Sequence, residues 1–182
     1  MRRHGKWPVL VALMLALVAL TACSPSPQAG VSPTEGASPP RVGSCGLGLP
    51  DTASDQEAIT ALLRAESAYM VQQDSEALMR LWAPDGRIAD AKHTPADSAD
   101  DQTWEGADAI RHRYLRRVFP GNPAAAQPAG LAIALNGDQA TVTGTTQIGN
   151  EVSPNGDRWQ VGKVGGCWVI KELIFDLEPP HK

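Results

Sequence analysis

Apolar positions along this chain fall into two regimes. Between Ser54 and Phe119 they recur at helical spacing: Ile59, Leu62, Leu63 and Met70 make one stripe, and Leu78, Leu81 and Trp82 a second, shorter one. Ser54-Asp55-Gln56-Glu57 has the capping-box form, in which the Ser hydroxyl accepts from the third helical amide and the Glu reaches back to the cap. An amphipathic helix is therefore expected over roughly 55–73. Asp74 or Ser75 can cap the second helix, with Leu78, Leu81 and Trp82 on its inner face, and Pro84-Asp85-Gly86 is expected to stop it. Arg87–Ala91 reads as a short strand and Lys92–Thr103 as a polar, acidic loop. Gly106-Ala107-Asp108 opens a third helix through about Phe119, where Pro120-Gly121 ends it.

Past that point the period becomes two. Leu131–Leu135, the turn Asn136-Gly137 and Gln139–Ile148 read as a hairpin, because Asn-Gly suits the positive φ angles of a tight turn. In its second strand Ala140, Val142 and Ile148 alternate with Thr141, Thr143, Thr145 and Gln147, one face dry and the other wetter. Arg158–Val164, Gly165-Gly166 and Cys167–Phe175 form a second hairpin. Helices first and strands after predict an α+β domain, with helices segregated on one face of a mainly antiparallel sheet.

The first 50 residues obey neither period. Arg2, Arg3 and Lys6 precede an apolar run from Val9 to Leu20 that is short for a membrane span, and Leu20-Thr21-Ala22-Cys23 follows at once. Residues 1–22 are read as an export signal. Leu-Thr-Ala-Cys resembles the bacterial lipobox, which implies acylation of Cys23, cleavage just before it, and a membrane partner held through that lipid. An ordinary secretory signal with Cys23 as a bystander thiol is the other reading. Either places the protein outside the cytoplasm; the lipobox places it on the outer face of the cell membrane or on the outer membrane. Residues 23–50, dense in Pro, Ser and Gly, read as the lipidated Cys and a tether, residues 51–178 as the folded domain, and 179–182 as a tail.

Composition narrows this picture further. The chain has 182 residues, 42% of them hydrophobic. The part left to fold suits one small domain, which excludes a multidomain enzyme, a coiled coil and a multi-span membrane protein. Removing the signal takes three basic residues and no acidic one, leaving 13 basic against 20 acidic, so the balance moves from −4 to −7. Nucleic acid is not an expected partner of so acidic a protein. Cys45 and Cys167 remain as an even pair in an oxidising compartment. A disulfide between them would close a loop of roughly 120 residues and contribute on the order of 4 to 5 kcal/mol by the chain-entropy argument; two separate thiols are the alternative.

Four pieces in order carry a resemblance: Ala58-Ile59 with Leu62-Leu63; Asp74 leading to Leu81-Trp82-Ala83-Pro84-Asp85; Gly106 with Asp108-Ala109-Ile110; and Gly165-Gly166-Cys167-Trp168-Val169-Ile170. Together they make the run from Glu57 to Glu178 resemble the nuclear transport factor two-like superfamily, in its SnoaL-like and ketosteroid-isomerase-like branches. The resemblance implies a cystatin-like α+β cone, a curved sheet wrapped against three N-terminal helices, with a ligand pocket at its open end. It also implies that some members pair through the open sheet face, which makes a homodimer one partner to consider.

Candidate chemistry begins with Glu66, which sits in the middle of the apolar stripe of the first helix. A carboxylate there must be paired, protonated or open to a wet cavity. An ion pair with Arg87 or Arg113 is one resolution, and a raised pKa that makes it a neutral acid is the other. Relatives often carry Tyr at this position, and Tyr69, one turn on, is a candidate to supply that phenol. Asp90, sixteen residues after Asp74, matches the general-base position of the isomerase branch. Asp157 falls near a second acid of that branch, about one residue out of register. His93 is a candidate acid/base partner of Asp90. Trp82, Trp104, Trp159 and Trp168 are candidates for the pocket lining or core. The basic run Arg111-His112-Arg113 with Arg116 and Arg117 reads as the polar face of the third helix. No spacing suggests zinc, no calcium loop, phosphate loop or nucleophilic Ser motif is present, and no metal or cofactor is expected.

Two functions fit these residues. One is noncatalytic binding of a small apolar ligand or a protein partner. The other is a cofactor-independent isomerase, dehydratase or cyclase with Asp90 as base and Glu66 or His93 as acid.

Overall fold

In the computed structural model, which describes residues 42–91, 99, 101–124, 126–148 and 151–176, the capping box of the first helix forms as its sequence requires. Ser54 Oγ accepts from the Glu57 amide at 3.3 Å and the Glu57 carboxylate accepts from the Ser54 amide at 2.8 Å. Helix α1 runs Asp55–Gln72 and ends on Gln73 in the left-handed conformation, φ 57°. Its stripe faces inward: Ile59, Leu62 and Leu63 are fully buried, each worth about 1.5 to 3 kcal/mol relative to exposure. The described residues lie within the compact unit Pro39–Lys182. The expected signal, Cys23, residues 24–41 of the tether, His93 and the tail 179–182 fall outside the described residues.

Helix α2 is short, Ser75–Met79, with Asp74 as its cap through Oδ1 and the Ala77 amide at 2.9 Å. Trp82 does not belong to it. Strand β1 spans Trp82–Asp90 and pairs in parallel with the last strand, with a register break between Trp82 and Arg87. Pro84-Asp85-Gly86 is thus an irregularity inside a strand, not a helix stop. Its glycine is there for space, since a Cβ on Gly86 would sit 2.9 Å from the Trp82 ring and 3.0 Å from the Ala83 carbonyl.

The expected loop 92–103 also gives way at its end. Gln102–Glu105 form β2, antiparallel to β1, and lead directly into α3, Gly106–Arg113. The third helix does not continue regularly to Phe119. Tyr114–Val118 make a π-helical turn, in which the Phe119 amide donates to the Tyr114 carbonyl, and Phe119–Gly121 a 3-10 turn.

The remaining strands are β3 Ala126–Asn136, β4 Gln139–Ile148, β5 Glu151–Val152, β6 Asp157–Val164 and β7 Cys167–Phe175. β3 begins earlier than its apolar pattern suggests and contains Pro128, which is tolerated because β3 is the sheet edge. The order is β2-β1-β7-β6-β4-β3, with β5 added to β4, and every neighbour is antiparallel except β1 and β7. Register breaks in β1, β3 and β7 accompany the curvature of the sheet. The helices pack on its concave face around Leu62, Leu78, Ile88, Ile110, Val142 and Ile170, all fully buried.

A 3-10 turn at Gly43–Gly46 precedes α1 and is tied to the sheet. The Gly43 amide donates to the Arg80 carbonyl at 2.7 Å, Ser44 Oγ accepts from the Trp168 amide at 3.0 Å, and Cys45 forms a disulfide with Cys167, 122 residues away in sequence. Gly43 has φ +56°, and an added Cβ would lie 2.1 Å from the Trp168 carbonyl oxygen. Gly43→Ala is therefore expected to cost at least about 2 kcal/mol, combining backbone strain with displacement of β7. Urea unfolding should show a lower midpoint at unchanged slope; a midpoint equal to that of the parent would contradict this placement.

Candidate functional site

Glu66 occupies the concave face because α1 presents it between Leu62, Leu63 and Met70, and it is 6% exposed. The carboxylate is not ion-paired in contact with an arginine. Arg87 instead pairs with Glu172 at 2.9 Å and with Glu105 at 3.7 Å. Two neutral donors hold Glu66: the Tyr114 hydroxyl donates to Oε1 at 2.8 Å, and the Trp159 indole N–H donates to Oε2 at 3.3 Å. Burial pushes its pKa up to about 7, against the lowering effect of those two hydrogen bonds and of the Arg113 charge, while Asp157 raises it further. Burial likewise pushes the Tyr114 phenol well above its ordinary value, with the Glu66 charge adding to it.

The phenol beside Glu66 is Tyr114, not Tyr69. Tyr69 is half-buried and packs against the edge of the core. The signal for Tyr114 is its spacing from Ile110 and Arg113, which puts all three on one helical face; the basic run around them obscures it. Arg113 is correspondingly buried, 7% exposed, rather than on the polar face. Its guanidinium carbon lies 4.5 Å from the Phe175 ring centroid, 5.2 Å from that of Trp104 and 5.3 Å from that of Tyr114.

These residues divide the cone into two spaces. The inner one, about 30 Å³, is bounded by Glu66, Met70, Tyr114, Asp157, Trp159 and Leu173, and has room for about one water. Asp157 there is 4% exposed, accepts from Ser153 Oγ, and has its pKa raised chiefly by burial. The outer one, about 460 Å³, is the mouth, walled by Asp90, Trp104, Arg117, Val118, Pro123 and Glu151. Arg113, Ile148 and Phe175 line both. Asp90, the last residue of β1 opposite Phe175, therefore faces the mouth, and Glu66 the inner space. The sequence brings the two carboxylates into one cone, but the arginine stack stands between the cavities.

Of the four candidate tryptophans, Trp104 lines the mouth and Trp159 the inner space. Trp82 and Trp168 belong to the core, 4% and 1% exposed. Trp168 points toward the start of α1, where its indole donates to Asp55 Oδ1 at 2.8 Å. A larger recess, about 1150 Å³, runs along the outer side of α1 between residues 47–54 and Leu131 and Ile133 of β3. Its Ser54 and Glu57 are committed to the capping box, and Gln56, Thr60 and Arg64 are further polar groups of its wall. Among the described residues, no group of three or more His, Cys, Asp or Glu side chains is placed to hold a metal ion.

No family model matches this chain, and no curated protein matches it. Solved structures do. A protein from Novosphingobium aromaticivorans, described as nuclear transport factor two-like with a cystatin-like fold, is 21% identical at a TM-score of 0.56, over 68% of this chain and 81% of that one. A cystatin-like protein of unknown function from Nostoc punctiforme is 14% identical at 0.54, over 69% and 94%. The β subunit of benzoate 1,2-dioxygenase from Burkholderia mallei is also 14% identical at 0.54, over 70% and 93%. At these identities the likeness establishes the architecture alone: the chain has the nuclear transport factor two-like, cystatin-like α+β fold.

Proposed function

We propose that this protein is a lipid-anchored, extracytoplasmic binding protein of SnoaL-like type, which takes a small, largely apolar ligand in the mouth of its cone and performs no chemistry on it. The observation that carries the reading is the division of the cone. The space large enough for a ligand, about 460 Å³, is not the one that holds the acid with the raised pKa. Glu66 spends both oxygens on Tyr114 and Trp159 inside a space of about 30 Å³. A proton relay through Glu66 and Asp90 requires both carboxylates to reach one ligand, and the Arg113 stack separates them. Anchoring rests on Leu20-Thr21-Ala22-Cys23 behind the apolar run.

Two measurements test the reading. In fractionated cells Cys23→Ala should move the protein from the membrane pellet to the soluble extracytoplasmic fraction; retention in the pellet removes the anchor. A thermal-shift panel of small apolar compounds should contain binders whose stabilisation is erased by Val118→Trp, which fills the mouth. Turnover of a bound compound, lost in Asp90→Asn, would replace the binding reading with the isomerase-like one.

A further inference from the structure

Arg113 presents a problem that the described residues do not solve by themselves. Its side chain is more than nine-tenths buried, yet among the described residues its Nε has no hydrogen-bond partner, and neither it nor Arg117 stands in a salt bridge. Burying a guanidinium is costly unless its donors are satisfied, and it carries five of them. The rings of Trp104, Tyr114 and Phe175 stabilise the positive charge by cation–π contact. A ring face offers the N–H donors no lone pair of the kind a carboxylate offers, and the side chain borders both spaces of the cone. Glu66 and Asp90 act on the guanidinium only through space, and the Glu66 oxygens are taken by Tyr114 and Trp159.

The mouth itself narrows the chemistry of what satisfies these donors. Arg117 stands over the same Trp104 ring, its guanidinium carbon 5.6 Å from the centroid. Among the described residues, Asp90 and Glu151 share the wall with the two arginines, so a multiply charged anion meets two carboxylates there as well. The remaining wall is apolar, from Val118, Pro123, Ile148 and Phe175. We propose that the mouth binds a small organic monocarboxylate, its carboxylate forked onto the edge of the Arg113 guanidinium with Arg117 as second contact, and its apolar body against Trp104, Ile148 and Phe175. A planar carboxylate matches the guanidinium edge in two parallel hydrogen bonds, which a tetrahedral dianion does less well beside two acids. This rests on the reading of the mouth as a ligand site and adds the class of ligand.

Matched pairs test it by titration calorimetry and thermal shift on the purified, oxidised protein: hydrocinnamate against hydrocinnamamide, octanoate against octanamide, and phenyl phosphate as the dianion. An acid should bind at least about tenfold more tightly than its amide, because the amide leaves a buried donor unpaired. Arg113→Gln should abolish that preference without lowering the thermal midpoint of the free protein, since it removes an unsatisfied buried charge. Arg113→Lys, which keeps the charge and loses the fork, should weaken the acid by about tenfold, and stands in should the Gln variant fail to fold. Equal binding of acid and amide overturns the carboxylate while leaving the apolar-ligand reading in place. Tighter binding of phenyl phosphate than of hydrocinnamate overturns the choice of anion. No response to any acid or amide overturns both the carboxylate and the ligand site.

Discussion

Replacing Cys45 and Cys167 together with serine is expected to lower the unfolding free energy by on the order of 4 kcal/mol, the largest single effect among simple substitutions in this domain. The two cysteines are 122 residues apart in sequence and close nearly the whole folded unit into one loop. Opening that loop frees the unfolded ensemble, and the chain-entropy argument for such a length gives between about 4 and 5 kcal/mol at room temperature. Contacts beside the bond survive its removal: the Gly43 amide still donates to Arg80, and the Trp168 amide to Ser44 Oγ. The loss should thus come from the unfolded state, with the native fold retained. Against a total stability of roughly 5 to 15 kcal/mol, the serine variant should remain folded at room temperature with a much lower urea midpoint. A free-energy difference below about 1 kcal/mol between oxidised parent and double variant would show that this staple does not constrain the unfolded chain.

Glu66→Gln should produce the second largest change, and one that depends on pH. The carboxyl rises from an ordinary 4.5 to about 7, mainly through burial, which corresponds to on the order of 3 kcal/mol. Between those two pH values the folded chain keeps the Glu66 proton and the unfolded chain releases it. The folded state then binds more protons, so this contribution is fully present below about pH 4.5, falls as pH rises, and is lost above about 7. A glutamine preserves both hydrogen bonds, its carbonyl accepting from the Trp159 indole and its amide donating to the Tyr114 oxygen. The variant should match the parent within about 1 kcal/mol near pH 4.5 and exceed it by about 2 to 3 kcal/mol near pH 8. Asp157 is also raised and contributes a slope of the same sign in both proteins, so the difference between them reports Glu66 together with its coupling to Asp157. A parent-minus-variant difference that stays constant across this range would refute the placement of a neutral acid in the cone.

What the sequence discloses here is what local signals encode. The capping box and the stripe of α1 lie within a few turns of one another, and Gly165-Gly166 sits at the very turn it specifies, both residues at positive φ, whereas the first hairpin turns one residue later than read, on Gly137-Asp138, with Asn136 paired to Gln139 at the end of β3. The start of β1 is hidden because it pairs with β7, far along the chain; locally Pro84-Asp85-Gly86 resembles a stop, and only the parallel partner makes it a bulge. β2 is hidden for the same reason, as four mixed residues gain strand character from β1 alone. Glu66 is legible as an anomaly on an apolar face, but its resolution is not. The phenol that holds it comes from the first residue after α3, and of the two arginines offered as its partner, Arg87 pairs with Glu172 while Arg113 is spent on three aromatic rings. The π-helical turn that follows α3 is likewise hidden, because no residue type in Tyr114–Val118 announces it.

The bond between Cys45 and Cys167 also sets how the domain carries load. A pull on the chain ahead of Val42 reaches Cys45 after three residues and passes through sulfur to the first residue of β7. β7 lies inside the sheet, flanked by β1 and β6, so tension enters at a strand held on both sides and bypasses α1 altogether. Everything between the two cysteines is mechanically shielded: the chain cannot be drawn out from its N-terminal end by peeling the helix. The cone and its mouth would keep their shape under such tension for as long as that one covalent link stays closed.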